Sequence, residues 1–438
     1  MSQFSPRPTL SRPTFSRRGL LGAGAALTAL GGLAACGHSG RVSANEGLTL
    51  MLLGADQRTT TTLRDEVLPA FTDETGTQVT LQSTDWGSGF QKLTTAAASK
   101  TLPDVFLIGG IWTAPLAQRG ALLDLTDRVA EWEDAAHFTE SMLADGAYED
   151  VQYALPVYAD SRTVFARKDH LESVGLDPAA LPTDWAAYHE AAAKLATVND
   201  GPARFGASWG QDTSIGIQQA FAQLFFQAGG EYFDTEGAAT FGSDAGVRAL
   251  EYLMSFYEDD LSSVNDVYSG SGAVPIVTGD AGLVFSGISA LQNAEQNDAS
   301  ALEQIVFGMP LAESSGGTPV TCSWVNKLAI SAHTADPDGA WQLLTHLTSG
   351  DNKTLMARLN GSLPARTDTE GDEYVAGIPE EFLTASEHAV TQPPHPDMLE
   401  IGPAIKTQLE RAIRLEAGAE QILEDIDADI DAITGAGK

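Results

Sequence analysis

Cysteine is nearly absent: 438 residues hold two, Cys36 and Cys322. Basic residues are scarce, 25 against 59 acidic, for a formal net charge of −34. The eight histidines are scattered, and no two lie within four positions of each other. Beyond the first 35 residues no apolar run approaches the ~20 residues that a membrane-spanning helix needs. His-Glu-x-x-His and the Walker loop are missing. The acidic surplus argues against nucleic acid and anionic membrane surfaces as direct ligands. Solubility or salt tolerance is its plainest cause. Scattered histidines argue against a metal site, and no cofactor is expected. A carboxylate pair for glycoside hydrolysis has no positive support, although 59 acids offer many pairs.

Residues 1–35 read as a processing signal rather than as fold. Ser16-Arg17-Arg18-Gly19-Leu20-Leu21 carries a twin-arginine pair, and an apolar stretch of Gly, Ala and Leu runs on to Leu33. Leu33-Ala34-Ala35-Cys36 resembles a lipobox, with Cys36 as the lipidated first residue of the mature chain. The alternative, a signal anchor, suits so short and glycine-rich a segment less well. Residues 36–46 are small and polar, as a tether should be. Removal of residues 1–35 leaves 403 residues with 21 basic and 59 acidic side chains, net −38. That length holds about two domains. With Cys36 lipidated no intrachain disulfide can form, so a core must hold the chain together. Cys322 then reads as a small buried apolar residue.

From Gly47 the chain alternates strand and helix. Gly47–Gly54, Thr77–Gln82 and Leu102–Ile108 read as strands. Thr59–Thr72, Ser88–Ser99 and Ile111–Arg119 read as helices. Such an alternation predicts a parallel sheet with its ligand beyond the strands' carboxyl ends. Those ends are Asp56-Gln57, Asp85-Trp86 and Gly109-Gly110. Tyr153–Trp185 is the pivot. Two short apolar runs flank Asp160-Ser161-Arg162, and Pro156 with a charged pair is awkward inside one core strand. The simplest reading is a strand that leaves one folding unit for another, with Asp160 and Arg162 near the joint. Beyond it helices dominate: Asp184–Ala196, Ile215–Ala228, Asp244–Tyr257, Gly287–Asn293, and a last pair within Ile405–Ile433. Met309–Ile330 crosses back.

The pivot, YALPVYADSRTVFARKDHLESVGLDP followed by LPTDWAAYHEAAAKL, resembles the crossover of extracellular solute-binding proteins of bacterial ABC importers. Within them it is most similar to the sugar-binding branch, relatives of maltodextrin- and trehalose-binding lipoproteins. Ala154 replaces the usual Gly, and Asp184 replaces the usual Thr before Trp185. PDVFLIGGIWTAPLAQRGALLDLTD, FFQAGGEYFDTEG, TCSWVNKLAISAH and NGSLPARTD extend the resemblance along the chain. The third block carries Trp324-Val325-Asn326 where glycines are usual.

The resemblance implies an α/β, periplasmic-binding-protein-like type II fold. Two α/β lobes with mixed sheets would be joined by a multi-strand hinge around a cleft. The N-terminal lobe would hold 47–158 and 328–364, and the C-terminal lobe 159–327 and 365–438. It implies a monomeric, lipid-anchored receptor, not an enzyme. That receptor captures a small carbohydrate, such as trehalose or maltose, for the transmembrane subunits of an ABC permease. Alternatives are a receptor for a glycerol phosphodiester or other anion, a surface-anchored glycoside hydrolase, and an adhesive surface protein.

Trp86, Trp112, Trp209 and Trp324 stand at strand ends or loops beside Gly, Ser, Asp or Asn. An indole face suits a sugar's C–H face, while hydrogen-bonding groups serve the hydroxyls. Packing in the core is the alternative for each, and the expected state of Trp132, Trp185 and Trp341. Asp160, Arg162 and Arg366 are the charged candidates, able to form charge-assisted bonds. An Asp160–Arg162 pair that only fixes the hinge is the competing reading. Asp85, Gln211 and Asn326 (with Asp212) join the set by their position near a tryptophan. Asp104 is expected to order a strand start.

Overall fold

A computed structural model describes residues 47–210, 216–264 and 274–436. The signal segment, the tether with Cys36, and Gln211 and Asp212 lie outside the described residues.

Local sequence sets where helices begin. Asp56, Asp85, Asp184, Ser243 and Asp336 each accept the backbone N–H three positions on. Such a cap contributes about 1 kcal/mol by satisfying a donor that the helix leaves free. Asp184 therefore serves where the family resemblance places a Thr, because both residue types cap. The helix predicted from Thr59 runs from Gln57 to Thr75, with a π segment at Leu63–Val67 just before Pro69. Proline has no N–H to give, and the Leu68 N–H reaches back to the Leu63 carbonyl.

The strands in order are β1 (Leu48–Leu53), β2 (Val79–Thr84), β3 (Val105–Ile108), β4 (Ala147–Tyr148), β5 (Val151–Gln152) and β6 (Ala154–Ser161). There follow β7 (Thr163–Arg167), β8 (Phe205–Ser208), β9 (Ala281–Ser286), β10 (Ile305–Phe307), β11 (Thr321–Ile330), β12 (Leu363–Pro364) and β13 (Ala389–Val390). The larger sheet has the order β12-β6-β11-β3-β1-β2, with β13 on β11. β1 is parallel to β2 and β3, as the alternation predicts. β11 runs antiparallel to β3 and β6, so the sheet is mixed. The smaller sheet has the order β10-β7-β9-β8. Asp104 orders the start of β3: its carboxylate accepts from the N–H and hydroxyl of Thr49 and from the Thr334 hydroxyl.

Each sheet has its own core. Leu50, Phe71, Phe106, Ile108 and Leu328 pack under the larger one. Val164, Tyr188, Phe221, Phe225 and Ile422 pack under the smaller one. Burying a Leu, Val or Phe side chain stabilises by roughly 1.5–3 kcal/mol. A third, smaller cluster joins Ala159, Phe165, Val325, Leu363 and Phe382 where the sheets meet. These are two α/β lobes with mixed sheets and a hinge of several strands.

The hinge corrects one expectation. β6 is continuous from Ala154 through Pro156 and Asp160 to Ser161, so the break falls at Arg162 alone. Opposite β11, Pro156 pairs with Lys327 and Tyr158 with Asn326, which leaves Val157 as an extra residue. This is a β-bulge, the kind of site where a strand admits proline. β12 pairs with β6 at Ala159 and Tyr158, so three separate chain segments run side by side. The segment that crosses back is strand only over Thr321–Ile330, and a helical turn at Pro275–Thr278 precedes β9.

Candidate ligand-binding site

A cavity of about 270 Å³ lies beyond the carboxyl ends of the parallel pair β8 and β9. Asp160 and Trp324 border it from the crossing strands, and Ser208, Trp209 and Phe285 from the β8–β9 side. Gln219 reaches it from the helix Gly216–Gln227, and Ser289 and Asn293 from the helix Ser289–Asn297. In open α/β sheets this end of the strands is where ligands bind, because backbone groups and loop side chains converge there.

Its charged groups neutralise each other. The Arg162 guanidinium lies 4.4 Å from the centroid of the Trp324 ring. The Arg162 Nη2 donates to the Gln219 Oε1 at 2.8 Å, and Nε and Nη2 both reach the Asp160 Oδ2 at 3.3 Å. Both charged side chains remain about a quarter exposed (24% and 25%), so the pair faces solvent in the cavity. Gly287 sets the position of Asp160: a Cβ there would lie 2.1 Å from the Asp160 Oδ1. No other ionisable side chain lines the cavity among the described residues.

An aromatic wall stands beside this pair. Trp209 is 4% exposed and packs on Phe285 at 5.9 Å and 25°, with Phe256 edge-on at 5.0 Å. Among the described residues its buried indole N–H has no hydrogen-bond partner. An unmet buried donor costs roughly 1–3 kcal/mol. Tyr188, next to Trp209 at 5.7 Å, also has a hydroxyl without a partner among the described residues, and burial pushes its phenol above the ordinary value.

The other lobe brings Trp86 and Trp112 together, edge to face at 6.0 Å. Trp86 lies over Gly54, which has a φ of +64° and no room for a Cβ, 2.3 Å from the indole Nε1. Asp85 caps the helix that starts at Trp86 and accepts from the Ser88 N–H. That bond, with the Ser88 hydroxyl, holds its carboxyl below the usual range. Trp112 is 8% exposed and belongs to the core under the larger sheet. The Gly109–Gly110 loop touches the crossing strand: a Cβ on Gly110 would lie 3.9 Å from the Trp324 Cα. Beneath that loop is Lys327, with a fully buried side chain, ion-paired to Asp145 and donating to the Gly110 carbonyl at 2.9 Å. Burial pulls its ammonium below the ordinary value, against the attraction of Asp145.

The structure thus brings Asp160, Arg162, Trp209 and Trp324 around one cavity and places Trp86 and Trp112 on the facing lobe. Asn326 is 6% exposed, and its amide donates to the Trp324 carbonyl, so it braces the hinge rather than lining the cavity. Arg366 lies elsewhere, which corrects its expected reach into the cleft. Its side chain is 2% exposed, bonded to Asp134, Asp368 and the Thr348 carbonyl, with Phe138 at 5.1 Å. Sequence reasoning missed Gln219, Phe285 and Asn293, which sit in helices and a strand with no local mark of a site, and Gly287 in the link between β9 and the helix Ser289–Asn297. It also missed Lys327, whose signal was available: a lone charge inside the apolar run of a strand.

Among the described residues no cluster of three His, Cys, Asp or Glu is placed to hold a metal, and no helix is long and apolar enough to cross a membrane. The Cys322 thiol is buried, and burial pushes it above its ordinary value.

Comparison with known proteins places the chain. A protein of Brucella abortus that carries only the general designation of a binding protein is 23% identical over 396 residues, 89% of this chain and 94% of its own. A periplasmic-binding protein of Sinorhizobium fredii, named for an amino-acid ABC transporter, is 30% identical over 194 residues, covering 42% of this chain and 43% of that one. A solved solute-binding protein of an ABC transporter from Thermotoga lettingae, bound with α-D-tagatose, superposes with a TM-score of 0.78. Its identity is 21%, over 88% of this chain and 99% of that one. Residues 55–354 match the family model described as bacterial extracellular solute-binding protein. By that match the chain belongs to the bacterial extracellular solute-binding proteins.

Proposed function

We propose that this chain is the carbohydrate receptor of an ABC importer, exported by the twin-arginine route and held at the membrane by a lipid on Cys36. It acts as a monomer and is not an enzyme. One observation carries the ligand class: an indole and a self-neutralising Asp160–Arg162 pair share one small cavity. An uncharged polyhydroxylated ring fits this chemistry. Its C–H face stacks on an indole, while its hydroxyls bond to the carboxylate, the guanidinium and the amides of Gln219 and Asn293.

The Thermotoga lettingae neighbour, bound with a sugar, supports this reading. The partial relative from Sinorhizobium fredii is named for amino acids, which favours a different ligand. An amino acid or a phosphodiester needs a free cation for its anionic group, and Arg162 is already shared between Asp160, Gln219 and the Trp324 face. A small disaccharide, trehalose or maltose, is the first ligand to test. Capture works by closure about residues 158–159, 327–328 and 364–365, because a ligand that touches both lobes stabilises the closed form. The permease then receives the ligand from that form.

Titration calorimetry with trehalose, maltose, tagatose, a glycerol phosphodiester and a set of amino acids tests the assignment. Micromolar binding of a neutral sugar is expected. Binding of an anion or an amino acid with no response to any sugar overturns it.

A further inference from the structure

The helix Ser289–Asn297 follows β9 of the smaller sheet, and Ala290 and Ala294 fix it in the core where the lobes meet. One stripe of it, Ser289, Ala290 and Asn293, borders the cavity. The adjacent stripe reaches the other lobe. The Gln296 Nε2 donates to the Asp56 Oδ2 at 3.0 Å, and the Gln292 Nε2 donates to the Arg358 carbonyl at 2.7 Å. Residues four apart share a face of a helix, so the pairs 289/293 and 292/296 form two neighbouring rows on one rigid rod.

The receiving groups are placed to matter. Asp56 follows β1 and caps the helix Gln57–Thr62, two residues after Gly54, on which Trp86 rests. The Arg358 carbonyl also accepts from the Arg58 Nη2 at 3.1 Å, which ties the same turn to the helix Leu355–Asn360. Gln296 therefore joins the turn beneath one aromatic wall to the helix that borders the opposite wall.

We infer that the helix Ser289–Asn297 is a latch between the lobes, in which Gln292 and Gln296 are positioning residues that set how long a ligand stays rather than which ligand binds. This rests on the receptor reading above. Neither glutamine borders the cavity, so neither discriminates between ligands. Both bonds cross between the lobes, so they resist opening.

The test uses charge at position 296, facing Asp56. Gln296→Glu sets like charges against each other, whereas Gln296→Lys makes an attractive pair. Gln296 is exposed, so neither variant threatens the fold, and equal melting temperatures check that. Small-angle scattering of the ligand-free protein is read first. Gln296→Glu should give a larger radius of gyration than Gln296→Lys, and the difference should shrink in high salt. With a bound sugar, the double variant Gln292→Ala/Gln296→Ala should release ligand about tenfold faster, as two lost hydrogen bonds predict. The ranking of ligands should not change. Equal radii for the two charged variants overturn the latch whether or not a sugar binds. A changed ligand ranking in the double variant overturns it too. A wild-type protein that binds no sugar but shows the charge-dependent radius refutes the receptor reading and keeps the latch.

Discussion

The guanidinium of Arg162 is stacked 4.4 Å from the ring centroid of Trp324 while it holds Asp160 and Gln219. One side chain thus orders an indole, a carboxylate and an amide from three elements. Trp324→Ala is expected to weaken sugar binding by more than tenfold, since it removes a stacking face and frees Arg162. An aromatic contact contributes ~0.5–1.5 kcal/mol beyond its buried area. Calorimetry gives the affinity, and the melting temperature should fall little, because the Trp324 ring is only partly buried.

Gly287→Ala should reach the same pair from behind. The new Cβ would lie 2.1 Å from the Asp160 Oδ1, so the carboxylate must swing away and Arg162 loses its partner. A fall in affinity of about tenfold is expected, of the size of one charge-assisted bond. Gly287→Ala with Asp160→Ala relieves the clash. Its affinity should match that of Asp160→Ala alone.

Arg366→Ala should act on stability and leave sugar affinity near wild type. Arg366 is buried but Asp134 and Asp368 are about a third exposed, so the loss is of the size of its charge-assisted bonds, about 1.5–3 kcal/mol. Its partner Asp368 gives a pH signature. The Arg366 hydrogen bond lowers the Asp368 carboxyl from the ordinary 3.8 to about 2. A depressed carboxyl stabilises the fold when ionised. The contribution is therefore complete above about pH 4 and is lost as pH falls through about 2. Urea midpoints between pH 5 and 2 should fall less steeply for Asp368→Asn than for wild type.

Lys327→Met strands the Asp145 carboxylate, 14% exposed, beneath the Gly110 loop. A loss of about 3 kcal/mol in urea unfolding is expected. Lys327→Met with Asp145→Leu should recover most of it, since an apolar pair of similar volume often replaces a buried ion pair without loss. If the double variant is less stable than the single one, the pair contributes more than mutual neutralisation.

Much of the fold was legible because it rests on periodicity. The strands and helices between Leu48 and Ser99 follow the alternation of apolar residues, and the caps at Asp85 and Asp184 are written in the residue types. The hinge was half legible. Pro156 and Asp160 argued for a gap between strands, but the bulge at Val157 lets one strand carry both. Bulges depend on the partner strand, which local sequence does not display. Among the residues around the cavity, Trp209, Trp324, Asp160 and Arg162 were visible as large or charged groups beside small ones. Gln219 and Asn293 were not, because a polar residue on a helix looks the same toward solvent and toward a cavity. Arg366 misled for the converse reason. Its neighbours in sequence suggested the cleft, while its partners Asp134 and Asp368 hold it in place elsewhere.

The surplus residue Val157 gives the joint its mechanical character. β6 and β11 stay hydrogen-bonded on both sides of it, from Ala154 to Ser161. A double-stranded ribbon cannot stretch and has little slack, so a stiff joint ties the two halves, and little orientational disorder between them is left for a ligand to remove.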